Sequence, residues 1–124
     1  MKLFAPAEYW LLTDTEKAKL VNGCGPGGWK KKYIPDHILW INIVEACNIH
    51  DYMYAVGANE DDRLEADSVF SNNMLRIVES TPQNWFLRRW RRRLVTEYYQ
   101  QVRDFGSIYF WEGKNPKSTL KDLQ

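Results

Sequence analysis

The sequence predicts a mostly α-helical single domain, and three observations carry that expectation. In three successive segments, apolar residues recur at helical intervals of three and four. Glycine, proline and Asn/Asp/Thr clusters mark the boundaries of those segments. No run alternates apolar and polar residues convincingly, and no internal repeat is visible. A chain of 124 residues is long enough to bury one core without metal or disulfide help, so residues 1–124 are read as one domain.

The elements follow in order. Pro6 to Leu20 reads as a short amphipathic helix, with Thr13-Asp14-Thr15-Glu16 marking a break and a second cap. Gly23 to Gly28 holds four glycines around Cys24 and Pro26, a composition that lets backbone carbonyls turn inward where a Cβ would forbid it. Trp29-Lys30-Lys31-Lys32-Tyr33 is a basic–aromatic insertion. Ile34-Pro35-Asp36 opens the main helix, which is expected to run through Trp40, Ile43, Cys47, His50 and Tyr54 to Gly57. Asn59-Glu60-Asp61-Asp62 caps the next helix, whose apolar stripe of Leu64, Phe70, Met74, Ile77 and Val78 also carries Asp67. After a break at Thr81-Pro82-Gln83-Asn84, Phe86, Trp90, Leu94, Tyr98 and Val102 define a third long helix. Gly106 is expected to end it, ahead of an aromatic tail.

The chemistry concentrates on the main helix. Cys47, His50, Asp51 and Tyr54 fall at i, i+3, i+4 and i+7 and so share one side. Buried polar groups need partners, so an imidazole, a carboxylate and a phenol here point to a polar site and not to core alone. His50 suits proton abstraction from water at neutral pH, provided a carboxylate orients its ring. Asp67 is that carboxylate, on the buried stripe of the following antiparallel helix. Tyr54, one turn past His50, is placed to bond Asp67, with Tyr98 or Tyr99 as a second phenol. Asp51 points about 100° around the helix from His50 and offers a hard oxygen to a metal.

The Gly-rich loop, Cys47-x-x-His50-Asp51-x-x-Tyr54 and Ala66-Asp67, taken in this order, resemble secreted phospholipase A2, nearest its short bacterial, phage and parvoviral forms. The resemblance implies two long antiparallel helices bearing the site, a Gly-rich calcium loop and a third long helix. It implies calcium-dependent hydrolysis of the sn-2 ester of glycerophospholipids, with His50 as base, Asp67 and Tyr54 supporting it and the Gly25 N–H at the oxyanion. It implies Ca²⁺ held by Asp51 and by carbonyls of Gly23, Gly25 and Gly27, and a Cys24–Cys47 disulfide. The sequence departs from the family in carrying glycine at 23, Pro26 in the loop and a longer gap from Gly28 to His50.

Charge is nearly balanced, at 17 basic and 16 acidic side chains, but the arginines crowd into 88–93 and the acids into 60–67. The near-neutral total argues against a nucleic-acid partner. No stretch approaches the roughly 18–20 apolar residues of a spanning helix; the partner that the resemblance implies is a phospholipid substrate at a membrane surface. Trp29 to Lys32 is the better candidate for lipid contact, because Trp90 sits on the apolar stripe and is expected in the core. Met1 to Glu8 lacks the apolar region of a signal peptide, and the compartment is left open. Two alternatives stand beside the hydrolase: a phospholipase-like module that binds membranes or a partner without turnover, and a zinc site from Cys24, Cys47, His50 and Asp51. Zinc is disfavoured because it would occupy the base and leave the carbonyl loop without a purpose.

Overall fold

The computed structural model describes residues 3–20 and 35–111. Within them the fold is mostly α, as expected. Two short helices, α1 (Ala7–Trp10) and α2 (Asp14–Leu20), precede a two-stranded hairpin, β1 (His37–Ile38) and β2 (Ile41–Asn42). Three helices follow, α3 (Val44–Val56), α4 (Glu60–Ser80) and α5 (Trp85–Trp111). No helix among the described residues is long and apolar enough to cross a membrane. The loop from Gly23 to Gly28, with Cys24, and the insertion from Trp29 to Tyr33 lie outside the described residues.

The expected break in the first helix is present. Thr13 Oγ1 accepts from Glu16 N at 3.1 Å and Glu16 Oε1 accepts from Thr13 N at 2.9 Å, a reciprocal cap that starts α2 afresh. The main helix departs from expectation, since it begins at Val44 and not at Pro35-Asp36. Residues 36–43 instead form an antiparallel hairpin pairing His37 with Asn42 and Ile38 with Ile41, closed by Ile43 N donating to Asp36 O at 2.8 Å. Its two turn residues, Leu39 and Trp40, both have positive φ, the backbone that a two-residue turn of matching twist requires. Ile38, Ile41 and Ile43 are buried, so the hairpin trades helical hydrogen bonds for core contacts. Asn42 Oδ1 then accepts from Val44 N and satisfies one of the donors at the start of α3.

Between α3 and α4 the chain needs three residues, 57–59. Asn59 and Asp62 form a capping box: Asn59 Oδ1 accepts from Asp62 N at 2.9 Å and Asp62 Oδ2 receives Asn59 N and Ala58 N. Asn59→Ala is expected to lower stability by about 1 kcal/mol in urea denaturation, the usual cost of losing such a cap. At the other end of α4, Thr81 Oγ1, Ser80 Oγ and Gln83 Nε2 donate to the last carbonyls, and Asn84 Oδ1 caps α5 through Leu87 N. Asp67 meets Arg103 and Glu79 meets Arg88 and Arg92, so α5 runs antiparallel to α4 along its length.

Helix α5 corrects two expectations. It continues through Gly106 to Trp111, because that glycine serves a close approach and not a stop: a Cβ there would fall on the Tyr54 hydroxyl of α3. The inward stripe is Arg91, Val95, Val102, Gly106 and Phe110, whereas Phe86 and Trp90 are exposed. Arg91 takes the inward place because its guanidinium donates to Leu39 O at 2.5 Å and to Gln83 Oε1 at 2.8 Å, tying the hairpin turn to α5.

Candidate functional site

Cys47, His50 and Tyr54 lie on the buried side of α3 through helical spacing alone. Asp51, one residue past His50, is half-buried at the edge of that side. The turn at 57–59 brings Asp67, two turns into α4, opposite His50 and Tyr54. His50 and Asp67 are both fully buried. His50 Nε2 lies 2.8 Å from Asp67 Oδ1, and the Tyr54 hydroxyl donates to that same oxygen at 2.6 Å. The His50 ring packs 4.1 Å from the Tyr54 ring and 4.8 Å from that of Phe70.

A carboxylate only accepts, so the bond to Asp67 assigns the imidazole proton to Nε2 and makes Nδ1 the basic nitrogen. Burial, followed by the charge and the hydrogen bond of Asp67, pushes the Tyr54 hydroxyl far above its ordinary range. Tyr54 therefore remains a donor throughout the physiological pH range, and its bond favours the ionised form of Asp67.

The other carboxylate oxygen faces two arginines absent from the sequence reading. Arg63 Nη1 approaches Asp67 Oδ2 at 3.4 Å, and Arg103 Nε lies 3.7 Å from it. Arg63, itself buried, is gripped by Glu60 through Nε at 3.0 Å and Nη2 at 2.7 Å and also donates to Arg103 O at 3.4 Å. The Glu60 bonds raise the Arg63 guanidinium further and hold the Glu60 carboxyl below the usual range. Glu60, Asp67, Arg63 and Arg103 form a charge-balanced cluster beside His50, which is how four charges are tolerated at the core boundary. Spacing hinted at Arg63, which stands three residues after Glu60 and four before Asp67; no local signal pointed to Arg103. Tyr99, one of the two expected second phenols, bonds Arg103, while Tyr98 is half-buried against the core.

Cys47 is fully buried and disulfide-bonded, with no free thiol among the described residues, so it has no thiolate to offer a zinc ion. Among the described residues no cluster of three or more His, Cys, Asp or Glu side chains could hold a metal. Of the expected calcium ligands only Asp51 is described; Gly23, Gly25 and Gly27, and with them the Gly25 N–H, lie outside the described residues. No family model, curated protein or solved structure matches the chain. What the described geometry offers is an imidazole oriented through Nε2 by a buried carboxylate, an arrangement suited to taking up a proton at Nδ1.

Proposed function

We propose that this protein is a calcium-dependent, phospholipase A2-like hydrolase of the sn-2 ester of glycerophospholipids. The observation that carries the reading is the buried His50–Asp67 bond of 2.8 Å with Tyr54 on the same oxygen. It sits within the Cys-x-x-His-Asp-x-x-Tyr pattern that follows the Gly-rich loop. In this reading His50 Nδ1 takes a proton from water as the water oxygen attacks the ester carbonyl. The tetrahedral intermediate collapses by breaking the bond to the glycerol oxygen, which receives the proton from His50. Fatty acid and lysophospholipid leave. Asp67 keeps the imidazole in the required tautomer and, as an anion, stabilises the positive charge of the transient imidazolium. Tyr54, Arg63 and Arg103 fix Asp67 and leave it few alternatives.

Asp51 and the carbonyls of Gly23, Gly25 and Gly27 would hold Ca²⁺, an all-oxygen set that suits a hard cation and, when loaded, polarises the ester carbonyl. The Gly25 N–H would meet the oxyanion. Cys47 and Cys24 would join the loop to α3.

The test is fatty-acid release from mixed phosphatidylcholine and phosphatidylglycerol vesicles, with calcium or chelator. Wild type is expected to require calcium, and His50→Gln to lose about 10²–10⁴-fold in turnover, the usual contribution of a general base. Release that survives His50→Gln would overturn the assignment of the base. An exposed cluster of Trp85, Phe86 and Trp90 beside arginines favours the second reading, a membrane- or partner-binding module without turnover. Vesicle binding without release at millimolar calcium would select it.

A further inference from the structure

The arginine run of α5 is not one uniform solvated face. Arg91 is buried and pins the hairpin turn through Leu39 O. Arg88 and Arg92 both turn to Glu79 of α4, at 3.8 Å and 2.5 Å. Arg89 and Arg93 face the other way and, with Trp85, Phe86 and Trp90, line a cavity of about 420 Å³. Helical spacing explains this set: Trp85, Arg89 and Arg93 form one i+4 row and Phe86 and Trp90 the next. Trp85 is 72% exposed, Phe86 54% and Trp90 47%, a large apolar area for a helix to leave in water. Among the described residues Arg93 pairs loosely with Glu97 at 3.7 Å, both side chains exposed.

We infer that this face of α5 is a docking surface for an anionic phospholipid bilayer, with the three rings entering the headgroup region and Arg89 and Arg93 reaching lipid phosphates. Charge complementarity selects the occupant. Residues 85–93 carry five arginines and no acid, and Glu79 answers only the two that turn toward α4. A second copy of the chain placed symmetrically on this face would set arginines against arginines, so self-association is opposed. The rings pack edge to face, Trp85 on Phe86 at 6.0 Å and Phe86 on Trp90 at 6.3 Å. They therefore form a continuous apolar ridge and not separate open platforms for stacking bases. Tryptophan and arginine beside an apolar phenyl ring suit the boundary between headgroup and acyl chain, where guanidinium groups extend toward phosphate while their stems stay among the lipids.

The surface lies some fourteen residues before Arg103 on the same helix, about 21 Å along its axis at 1.5 Å per residue. It is thus distinct from the His50–Asp67 site, and the inference goes beyond the proposed hydrolysis without depending on it. The Trp29–Lys32 segment, the expected lipid contact, lies outside the described residues.

Sedimentation with sucrose-loaded vesicles tests it, in chelator so that no hydrolysis intervenes. The vesicles contain phosphatidylcholine alone or mixed with phosphatidylglycerol. The full chain is expected to partition to the mixed vesicles, less so at high salt. Both Trp85→Ser/Phe86→Ser and Arg89→Glu/Arg93→Glu are expected to bind at least about tenfold more weakly. All four side chains are exposed, and unchanged thermal melting would show that the fold survives the substitutions. Three results would each overturn the inference: no binding to anionic vesicles, variants that bind like wild type, or displacement of the protein from vesicles by a single-stranded oligonucleotide. Because the readout is partition without calcium, none of these bears on whether the His50 site turns over ester.

Discussion

Replacing Asp67 with alanine is expected to destabilise the protein by about 3–5 kcal/mol, the largest effect of any single site substitution considered. The reason is the number of groups that depend on one carboxylate. His50 Nε2 and the Tyr54 hydroxyl share Oδ1, and Arg63 and Arg103 approach Oδ2, all from within or at the edge of the core. Alanine would leave the Arg63 charge with Glu60 alone and would take the acceptor from two buried donors. Each donor stranded without water costs about 1–3 kcal/mol. Asp67→Asn keeps the volume and one acceptor oxygen but loses the charge, so its loss of stability is expected to be smaller while fatty-acid release falls as far as in His50→Gln. Urea denaturation of the two variants separates packing from charge. A loss below about 1 kcal/mol for alanine would mean that water enters and solvates the arginines, contrary to a sealed cluster.

The part of the site that was legible in the sequence is the part built from helical periodicity. His50, Tyr54 and Cys47 repeat at three and four residues, and Asp67 stands on an otherwise apolar stripe after a capped turn, so their meeting followed from spacing. Arg63 escaped notice because an arginine between Glu60 and Asp67 looks like an exposed intrahelical pair until α5 covers it. Arg103 comes from a different helix, and only tertiary packing delivers it. The hairpin at 36–43 was hidden because Leu39 and Trp40 occupy its positive-φ positions, where glycine or asparagine gives the usual signal. On α5 the aromatic i+4 row suggested a core stripe, yet the buried line is offset by one residue at the start of the helix. Arg91 turns inward to hold the hairpin, which rotates Phe86 and Trp90 out to solvent.

Gly106→Ala is expected to cost about 1–3 kcal/mol and to reach the site although residue 106 makes no bond within it. A Cβ at 106 would collide with the Tyr54 hydroxyl and would stand 3.2 Å from Tyr54 Cζ, tighter than most such contacts. The far end of a flexible side chain could move aside at little cost, but Tyr54 is not free to do so. Its hydroxyl is committed to Asp67 at 2.6 Å, and its ring stands against Phe110 at 5.2 Å and nearly perpendicular to it. Relief therefore requires α5 to back away from α3 or Tyr54 to release Asp67, and either loosens the carboxylate that orients His50. Tyr54→Phe removes the atom that collides, and alone it should cost about 1–2 kcal/mol for the lost hydrogen bond. The double variant should then be more stable than the sum of the single losses by about 1 kcal/mol or more, a coupling typical of residues in direct contact. Additive losses in the four-variant cycle would show that the glycine is needed for helix packing in general and not for the approach of α5 to Tyr54.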